Sequence, residues 1–180
     1  RVAGAVWALD PSLAHQRQFP AVDWETSYSE YLHRTLPWFE REAGAGWGEA
    51  RRRLLELLQR GRELKEIAAL VGPDALQDED RLILDSARLL RELVLAQSAY
   101  SPTDASSPVG KTLALARLGL ALHDAARAAI TAGRVFERLD FAPARRALLA
   151  VREAGADAWP AAVPDAEAAV AAMSRGEAMR

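Results

Sequence analysis

The sequence lacks cysteine, long apolar runs and any large excess of charge. The absence of cysteine from its 180 residues excludes disulfides, cysteine metal sites and thiol nucleophiles. No apolar run approaches the roughly 20 residues that a membrane-spanning helix needs. A formal net charge of −2, with 27% charged residues, gives no overall field that selects nucleic acid or anionic lipid. We therefore expect no nucleic-acid partner and no direct membrane insertion.

The first part of the chain, up to Gly48, is predicted to be mostly irregular because it shows little helical periodicity. The apolar run 3–10 predicts a buried strand or strand end, and Pro11 opens a short helix. Residues 19–31 are rich in aromatics and turn residues and predict an ordered loop, and the glycines of 44–48 predict a flexible connection. Because the first residues read as the middle of an element, we expect a fragment of a longer protein.

From Glu49 onward the apolar residues follow a helical period. The first helix is predicted to end at Gly72, and a second to run from about 78 to 97. A polar loop over 101–108 precedes a third helix, and prolines mark two more in the Ala-rich remainder. The predicted inward residues are Leu54, Leu57, Leu58, Leu64, Ile67, Ala68 and Val71, then Leu82, Ile83, Ala87, Leu89, Leu90, Leu93 and Val94. The sequence predicts a mainly α fold, a helical bundle after a short α/β remnant.

Four carboxylates surround the start of the second helix, those of Asp74, Asp78, Glu79 and Asp80. Asp78 is predicted to cap this helix, and Glu79 and Asp80 lie where the helix dipole favours anions by about 0.3–1 kcal/mol each. This interpretation omits Asp74, which precedes the helix by too many residues. A rigid acidic tip between two long helices is also a suitable surface for a basic partner. Both interpretations stay open from the residues alone.

No motif in the chain defines catalytic chemistry. The segment 106–112, SSPVGKT, ends like a phosphate-binding loop. However, Ala105 stands where the first glycine is needed, and Pro108 removes a backbone N–H donor. The three histidines are far apart and have no partners at the spacing of a catalytic triad or a metal site. We therefore predict no catalytic residue and no metal site within this chain.

Two aromatic residues lie at loop edges, Phe19 next to Pro20 and Tyr100 at the end of the second helix. Rings in such positions can clamp a flat heterocycle by stacking, which is worth about 1–3 kcal/mol per base in nucleic-acid systems. Alternatively, both rings fill the crevice between the strand region and the bundle. From the residues alone, the second interpretation is favoured.

Three stretches, taken in order, resemble the C-terminal part of the catalytic A subunit of vacuolar/archaeal-type rotary ATPases. They are RVAGAVWALDPSLAHQRQFPAVDWETSYSEY, LLQRGRELKEIAALVGPDALQDEDRLIL and ARLLRELVLAQSAY. The middle stretch is also similar to the acidic helix-turn-helix of the F-type catalytic beta subunit. The resemblance covers residues 1 to about 115. It implies that 1–47 end a nucleotide-binding α/β domain, and that 48–180 form a helical domain with a lever over about 49–97.

The resemblance also implies a role for the two loop-edge aromatic residues and for the acidic turn. Phe19 and Tyr100 would be aromatic walls of the adenine pocket, and the acidic turn would contact the basic coiled coil of the central-stalk rotor subunit. The remaining implied pocket residues are Pro20, Gln97, Ser98 and Ala99, and the implied rotor contacts are Asp74, Asp78, Glu79 and Asp80. The sequence departs from the family in HQRQFP, where a basic pair is usual, and in QSAYSPTD, where QNAF followed by HEVD is usual.

The resemblance further implies an enzyme, its cofactor and its partners. The complete subunit would bind ATP or ADP with Mg²⁺ and alternate with the B subunit in an A3B3 hexamer on the cytoplasmic face of the membrane. There it would couple ATP hydrolysis or synthesis to proton or sodium transport. The phosphate loop, the catalytic Glu and the Arg near the γ-phosphate lie upstream in the family. This fragment is therefore expected neither to hydrolyse ATP nor to bind nucleotide tightly alone.

Two other classes of protein compete with this interpretation. A free-standing, non-enzymatic helical module that binds a basic coiled coil would share only the acidic hairpin. The aromatic-rich residues 1–31 argue against it, because such a module has no use for an isolated strand end. An autonomous small nucleotide binder is opposed by the missing phosphate loop.

Overall fold

Helices account for most of the chain in the computed structural model, which describes residues 3–15, 19–72, 75–97 and 101–175, apart from the side chains of residues 25, 174 and 175. The elements in chain order are β1 (Ala5–Leu9), α1 (Pro11–His15), β2 (Val22–Ser29), α2 (Leu32–Glu42), α3 (Trp47–Val71), α4 (Asp78–Leu90), a π-helical turn (Arg91–Leu95), α5 (Val109–Thr131), a 3-10 turn (Phe136–Arg138), α6 (Ala142–Glu153) and α7 (Trp159–Arg175). The prediction of a mainly α fold is confirmed, as are the predicted helix starting at Pro11 and the two helices of the Ala-rich remainder.

The strands β1 and β2 form a two-stranded antiparallel sheet, with Ala5 opposite Ser29 and Leu9 opposite Val22. Two sequence predictions are wrong here. β1 is not buried, because Trp7 and Leu9 are 74% and 75% exposed. Residues 22–29 form a strand and not a loop. Val22 is buried, and Val22, Trp24 and Tyr28 alternate with polar residues, which is a strand signal that the sequence prediction overlooked.

Helix α2 occupies a stretch that the sequence predicts to be irregular. It contains Pro37 in its interior, and a proline there removes one helical hydrogen bond and disfavours the helix locally. Contacts with the next helix compensate, since the Phe39 ring stacks on Trp47 with centroids 4.6 Å apart. Tertiary packing thus stabilises a helix that the local sequence argues against.

The connection between α2 and α3 is an ordered turn, so the prediction of a flexible link is wrong. Gly44 and Gly46 have φ angles of +115° and +86°, which side chains with a Cβ rarely adopt. The Glu40 carboxylate accepts hydrogen bonds from the backbone N–H groups of Gly46 at 2.6 Å and Gly48 at 2.8 Å. These donors lie at the start of α3, where N–H groups have no helical acceptor. Hydrogen bonds to its charged form hold the pKa of Glu40 below its usual value.

Helix α5 lies between two apolar clusters. One cluster joins it to α3 and α4 through Ala50, Leu54, Leu58, Ala87, Leu90, Leu113, Ala116 and Leu120. The other joins it to the C-terminal helices, and its fully buried members include Ala126, Leu148, Val151 and Ala166. The Ala-rich segment therefore packs on the bundle. Among the described residues, no helix combines the length and the hydropathy that crossing a bilayer requires.

Helices α3 and α4 form an antiparallel hairpin whose two halves differ in packing. A Cβ added at Gly61 would lie only 2.5 Å from the Cβ of Ala87, so the helices approach closely there. Toward the tip, Ile67, Leu70 and Val71 are 44%, 87% and 58% exposed. The prediction that Ile67 and Val71 face inward is wrong, because α3 continues beyond the apolar core. The predicted end of the helix at Gly72 is confirmed.

Candidate functional site

The structure joins two segments that the sequence predicts to wall one pocket. The backbone N–H of Gln97 donates a hydrogen bond of 2.6 Å to the carbonyl oxygen of Phe19. The Phe19 ring is 53% exposed, so it does not fill the crevice between the strands and the bundle. Pro20 is exposed and Gln97 is half-buried. The other predicted wall residues, Ser98, Ala99 and Tyr100, lie outside the described residues.

A mostly buried ion pair lies directly beside this junction. The Arg152 guanidinium donates one hydrogen bond to the Asp104 carboxylate at 2.9 Å and another to the Ala96 carbonyl oxygen at 3.3 Å. The side chains of Arg152 and Asp104 are only 20% and 14% exposed. The ion pair is therefore shielded from most of the solvent that weakens surface pairs.

Lys111 extends the same polar cluster toward the end of α6. Its side chain is almost completely buried, and its Nζ donates to the carbonyl oxygens of Arg152 at 2.5 Å and Ala154 at 2.8 Å. The last carbonyls of a helix have no helical donor, so these bonds satisfy the C-terminus of α6. Burial lowers the pKa of Lys111, and the Asp104 carboxylate opposes that shift.

The position of Lys111 also agrees with the rejection of a phosphate-binding loop at 106–112. The Gly-Lys-Thr sequence lies in the first turn of α5, and its lysine points at α6 and not toward a loop of backbone N–H groups. Sequence reasoning used this lysine only to reject a motif and missed its structural role. The sequence signal for this role is that Lys111 is a lone lysine on the apolar face of a helix. A lysine in such a position is buried only when its ammonium group is paired or hydrogen-bonded.

A small cavity of about 140 Å³ connects the cluster with the junction. Its lining includes both the ionic side chains and the edge of the predicted pocket wall, namely Ala96, Gln97, Asp104, Ser107, Lys111 and Arg152. The predicted wall and the buried cluster are thus parts of one site. Neither Asp104 nor Arg152 was predicted from the sequence.

The acidic turn at the other end of α4 is partly engaged within the chain. Gln77 precedes the helix, and the Asp78 carboxylate accepts a hydrogen bond of 3.1 Å from the backbone N–H of Phe136. The prediction that Asp78 caps α4 is therefore wrong, because the 3-10 turn packs against the start of this helix and uses the carboxylate. All three described carboxylates lie in the first turn of α4, where the helix dipole favours them.

The remaining acidic residues of the turn differ in their surroundings. Glu79 is exposed, and the carboxylate of Asp80 lies 3.9 Å from the Arg60 guanidinium of α3. Asp74 lies outside the described residues. The apolar side chains of Leu70 and Val71 are exposed on the same tip. Val71 is predicted to face inward because the prediction extends the inward stripe of α3 to the end of the helix, and no prediction covers Leu70.

An apolar cleft of about 380 Å³ lies between the sheet and the helices α3 and α5. Trp7, Trp24 and Trp47 line it, and no sequence pattern indicated it. The indole N–H of Trp24 is shielded from solvent and has no hydrogen-bond partner among the described residues. The described residues contain no group of three or more side chains suited to hold a metal ion.

A helical hairpin that carries an acidic turn at one end and a predicted nucleotide-pocket wall at the other is the arrangement expected for the C-terminal region of a rotary ATPase catalytic subunit. The family described as the C-terminal domain of V and A type ATP synthase matches residues 36–139. The chain belongs to this family.

Similarity to individual proteins extends beyond the matched domain. The chain is 53% identical over 133 residues to the V-type ATP synthase alpha chain of Anaeromyxobacter dehalogenans, which covers 74% of the chain and 23% of that protein. It is 39% identical over 153 residues to an A subunit of the A-type ATP synthase of Methanospirillum hungatei, covering 85% and 26%. The V-type ATP synthase alpha chain 1 of Clostridium tetani is 41% identical over 133 residues, covering 74% and 22%. The chain spans about a quarter of the length of these relatives.

Proposed function

We propose that this chain works as the C-terminal part of the catalytic subunit of a V/A-type ATPase, where it supplies one wall of the adenine pocket and a lever that contacts the rotor. The complete subunit would bind ATP or ADP with Mg²⁺ and alternate with B subunits around the central stalk at the cytoplasmic face of the membrane. Residues 1–47 would complete its nucleotide-binding domain, and 48–180 would form its helical domain. The hydrogen bond between Gln97 and Phe19 carries the proposal, because it ties the two predicted wall segments together.

The helix between the two proposed sites gives the arrangement a mechanical basis. Helix α4 and its π-helical turn run without interruption from Asp78 to Leu95, which at about 1.5 Å per residue is roughly 27 Å. Leu82, Leu90 and Leu93 bury this element against the bundle. A packed helix transmits displacement as a unit, so movement of the base-binding segment would reach the acidic turn.

The fold also supports a sliding contact at the tip. Exposed carboxylates in water are held weakly, with pair energies of about 0–1 kcal/mol, so contacts with successive basic residues of a rotating shaft would form and break at little cost. Among the three described carboxylates of the turn, that of Glu79 is exposed, and Leu70 and Val71 add apolar surface at the tip. A free-standing interaction module is less well supported, because the chain belongs to the family of V- and A-type ATP synthase C-terminal domains.

The nucleotide part of the proposal is tested by Phe19→Ala in the full-length subunit, assembled with its partners. Loss of a stacking ring worth about 1–3 kcal/mol raises the KM for ATP roughly 5- to 150-fold. Trp38→Ala is the matched control, since Trp38 is a similarly exposed aromatic residue, 45% against 53%, on α2. Steady-state ATPase kinetics give both values. Equal KM values for the two variants would overturn the adenine assignment of Phe19.

The rotor part is tested by binding of the full-length subunit to the basic coiled coil of the central stalk at low and high salt. The double variant Glu79→Gln/Asp80→Asn is compared with Asp165→Asn/Glu167→Gln, which removes two exposed carboxylates from α7. We expect the first pair to weaken binding several-fold at low salt and little at high salt, because rim charges are screened. Identical behaviour of the two pairs would remove the charge argument.

A third variant separates charge from apolar contact at the tip. Leu70→Ser/Val71→Ser removes the exposed apolar surface and leaves every carboxylate in place. If these side chains pack on the shaft, binding weakens by a similar factor at both salt concentrations, since apolar burial does not depend on ionic screening. Unchanged binding would assign the contact to the carboxylates alone.

A further inference from the structure

The apolar cleft between the sheet and the helices α3 and α5 has the size and the position of a small-molecule site. Its volume of about 380 Å³ falls within the roughly 300–1,000 Å³ that is usual for such sites. It lies where the two strands meet the helical bundle, and ligand pockets often form at junctions of this kind. None of the described residues of the predicted adenine wall, Phe19, Pro20 and Gln97, lines this cleft.

Aromatic rings dominate the cleft on both of its sides. The strands contribute Trp7, Trp24 and Tyr28, and the start of α3 contributes Trp47. The Trp47 ring is fixed in place, because it stacks on Phe39 with an angle of only 10° between the two planes. Aliphatic side chains of α3 and α5 complete the lining. Such a lining suits the faces and edges of a flat, apolar ring system.

The cleft also contains one positive charge. Arg51 is the only charged residue in its described lining. It lies four residues after Trp47 and four before Leu55, so these three residues follow one face of α3, and all three line the cleft. No acidic residue stands three or four positions from Arg51 on the helix, and Arg51 has no ion-pair partner among the described residues. Its guanidinium is therefore available to an anion.

The next residue of α3 shows the contrast. The Arg52 guanidinium donates to the carboxylates of Glu49 and Glu56, in each case with a hydrogen bond of 2.6 Å. These carboxylates stand three residues before and four residues after it, at the spacing that brings helical side chains together. Arg52 is thus neutralised within its own helix, whereas Arg51 is not.

We propose that this cleft binds a flat aromatic molecule with a single negative charge, namely an aromatic carboxylate or sulfonate. Its rings would pack among the indoles, and its anionic group would face Arg51, whose planar fork of N–H donors matches such oxygens. The single cation of the lining suits one charge better than a polyphosphate. This inference does not rest on the proposed function, because it requires neither the adenine wall nor the rotor contact.

Two dyes that differ only in charge test the proposal in the full-length subunit, assembled in its complex. The anion is 8-anilino-1-naphthalenesulfonate, and the neutral probe is N-phenyl-1-naphthylamine, which has the same rings without the sulfonate. Both fluoresce more strongly in apolar surroundings, so fluorescence titration gives a Kd for each. Because exposed ion pairs are weak, Arg51→Gln should raise the Kd of the anion about two- to fivefold at low salt and leave that of the neutral probe unchanged. Arg52→Gln is the matched control and should change neither value.

A second variant tests the aromatic wall. Trp7 is 74% exposed, so Trp7→Ala should leave the fold intact while it removes one indole from the cleft. It should raise the Kd of both probes roughly three- to tenfold, since both use the same rings. Trp38→Ala is the control, because Trp38 is an exposed indole of α2 outside the cleft lining, and it should leave both values unchanged.

Each contrary result overturns a defined part of the proposal. Unchanged Kd values for both probes in Trp7→Ala and Arg51→Gln would show that the dyes bind elsewhere, and would overturn the site. Equal weakening of the two probes by Arg51→Gln, or equal effects of Arg51→Gln and Arg52→Gln, would overturn the preference for an anion. Competition between the sulfonate and ADP would place the dye in the nucleotide site and overturn the proposal. None of these results depends on the KM of Phe19→Ala, which tests the proposed function separately.

Discussion

The two ends of α4 are held in different ways. At its C-terminal end, the chain continues through the π-helical turn into a junction where Gln97 bonds Phe19, and Arg152 reaches the neighbouring carbonyl. At its N-terminal end, Glu79 and the apolar residues Leu70 and Val71 of the facing helix are exposed. The Asp78 carboxylate bonds the Phe136 N–H group, and the Asp80 carboxylate lies 3.9 Å from the Arg60 guanidinium. One end is thus fixed by bonds that join separate elements, whereas the other exposes side chains that would face the proposed rotor partner. The proposed lever would need this difference between an anchored base and an exposed tip.

Alanine substitutions of two leucines, one at each end of the hairpin, give the largest expected difference in the free energy of unfolding between the two regions. Leu90 at the anchored end is completely buried and Leu70 at the tip is 87% exposed. Leu90→Ala should lower the free energy of unfolding by about 2–5 kcal/mol, because it leaves a cavity in the core. Leu70→Ala should change it by less than about 0.5 kcal/mol.

Urea denaturation measures both leucine variants under identical conditions. The slope of the unfolding free energy against urea should stay the same, so that the midpoints report stability directly. A destabilisation of Leu70→Ala close to that of Leu90→Ala would show that the tip is packed within the chain. In that case the distinction between an anchored end and a free tip would be lost.

The next largest effect on stability is expected where α3 crosses α4, because added side-chain volume has no room there. Gly61→Ala places a Cβ about 1 Å too close to the Cβ of Ala87, which is attached to the backbone and cannot rotate away. Overpacking of this kind costs about 1–3 kcal/mol, and the better helix propensity of alanine returns at most about 1 kcal/mol. We expect a net loss of stability in thermal unfolding.

The double variant Gly61→Ala/Ala87→Gly is the matched control for the crossing, because it moves the methyl group to the other helix. It should recover part of the stability that Gly61→Ala loses. If Gly61→Ala alone is stabilising, the helices are free to separate at the crossing and the hairpin is less rigid than a lever requires.

Sequence reasoning predicted the α3–α4 hairpin and its turn because those features depend on local patterns. Leu54 and Leu58 recur at helical spacing, and Gly72 ends α3 with a φ of +87°, as a helix-terminating glycine often does. The same reasoning missed α2, because Pro37 within it argues against a helix and the stacking of Phe39 on Trp47 is not visible in the sequence. In α2, tertiary packing outweighs the unfavourable helix propensity of the local sequence.

The candidate site shows the same limit. Resemblance to a family identifies the residues of the predicted adenine wall. Only the fold shows that Arg152, Asp104 and Lys111 lie beside that wall. No short spacing connects an arginine of α6 with residues 96 and 104, since these contacts join separate elements. The bond between Asp78 and the 3-10 turn was missed for the same reason. Such contacts become predictable only when the packing of the C-terminal helices is known.

Neighbouring carboxylates in the acidic turn provide a smaller test of the same comparison. Asp78→Ala removes the acceptor of the Phe136 N–H group and a favourable charge at the start of α4, and should destabilise the chain by about 1 kcal/mol. Glu79→Ala removes an exposed charge and should cost less than about 0.5 kcal/mol. Denaturant titration of both variants checks the difference. Equal losses of unfolding free energy in the two variants would mean that the bond between Asp78 and the 3-10 turn contributes nothing measurable to stability.

The smallest expected effect is a pH dependence at the anchored part of the hairpin. His123 of α5 is buried with its Nδ1 2.9 Å from the hydroxyl oxygen of Ser86 on α4. Burial lowers the pKa of His123, while the carboxylate of Asp124 opposes the shift and the cations of Arg127 and Arg53 add to it. The unfolded chain therefore binds the proton more readily than the folded chain does.

The sign of the effect follows from this difference. The stability that neutral His123 contributes is fully present above the unfolded pKa of about 6.5, and it is lost as the pH falls from there toward the lower folded pKa. The unfolding midpoint in urea should thus decrease between pH 7.5 and pH 5.5. His123→Gln should show a shallower decrease over this range, because this variant lacks the buried imidazole whose pKa burial lowers. Parallel pH profiles for the two proteins would show that His123 is not protonated on unfolding in this range, and would remove it from the contacts that make α4 and α5 sensitive to pH.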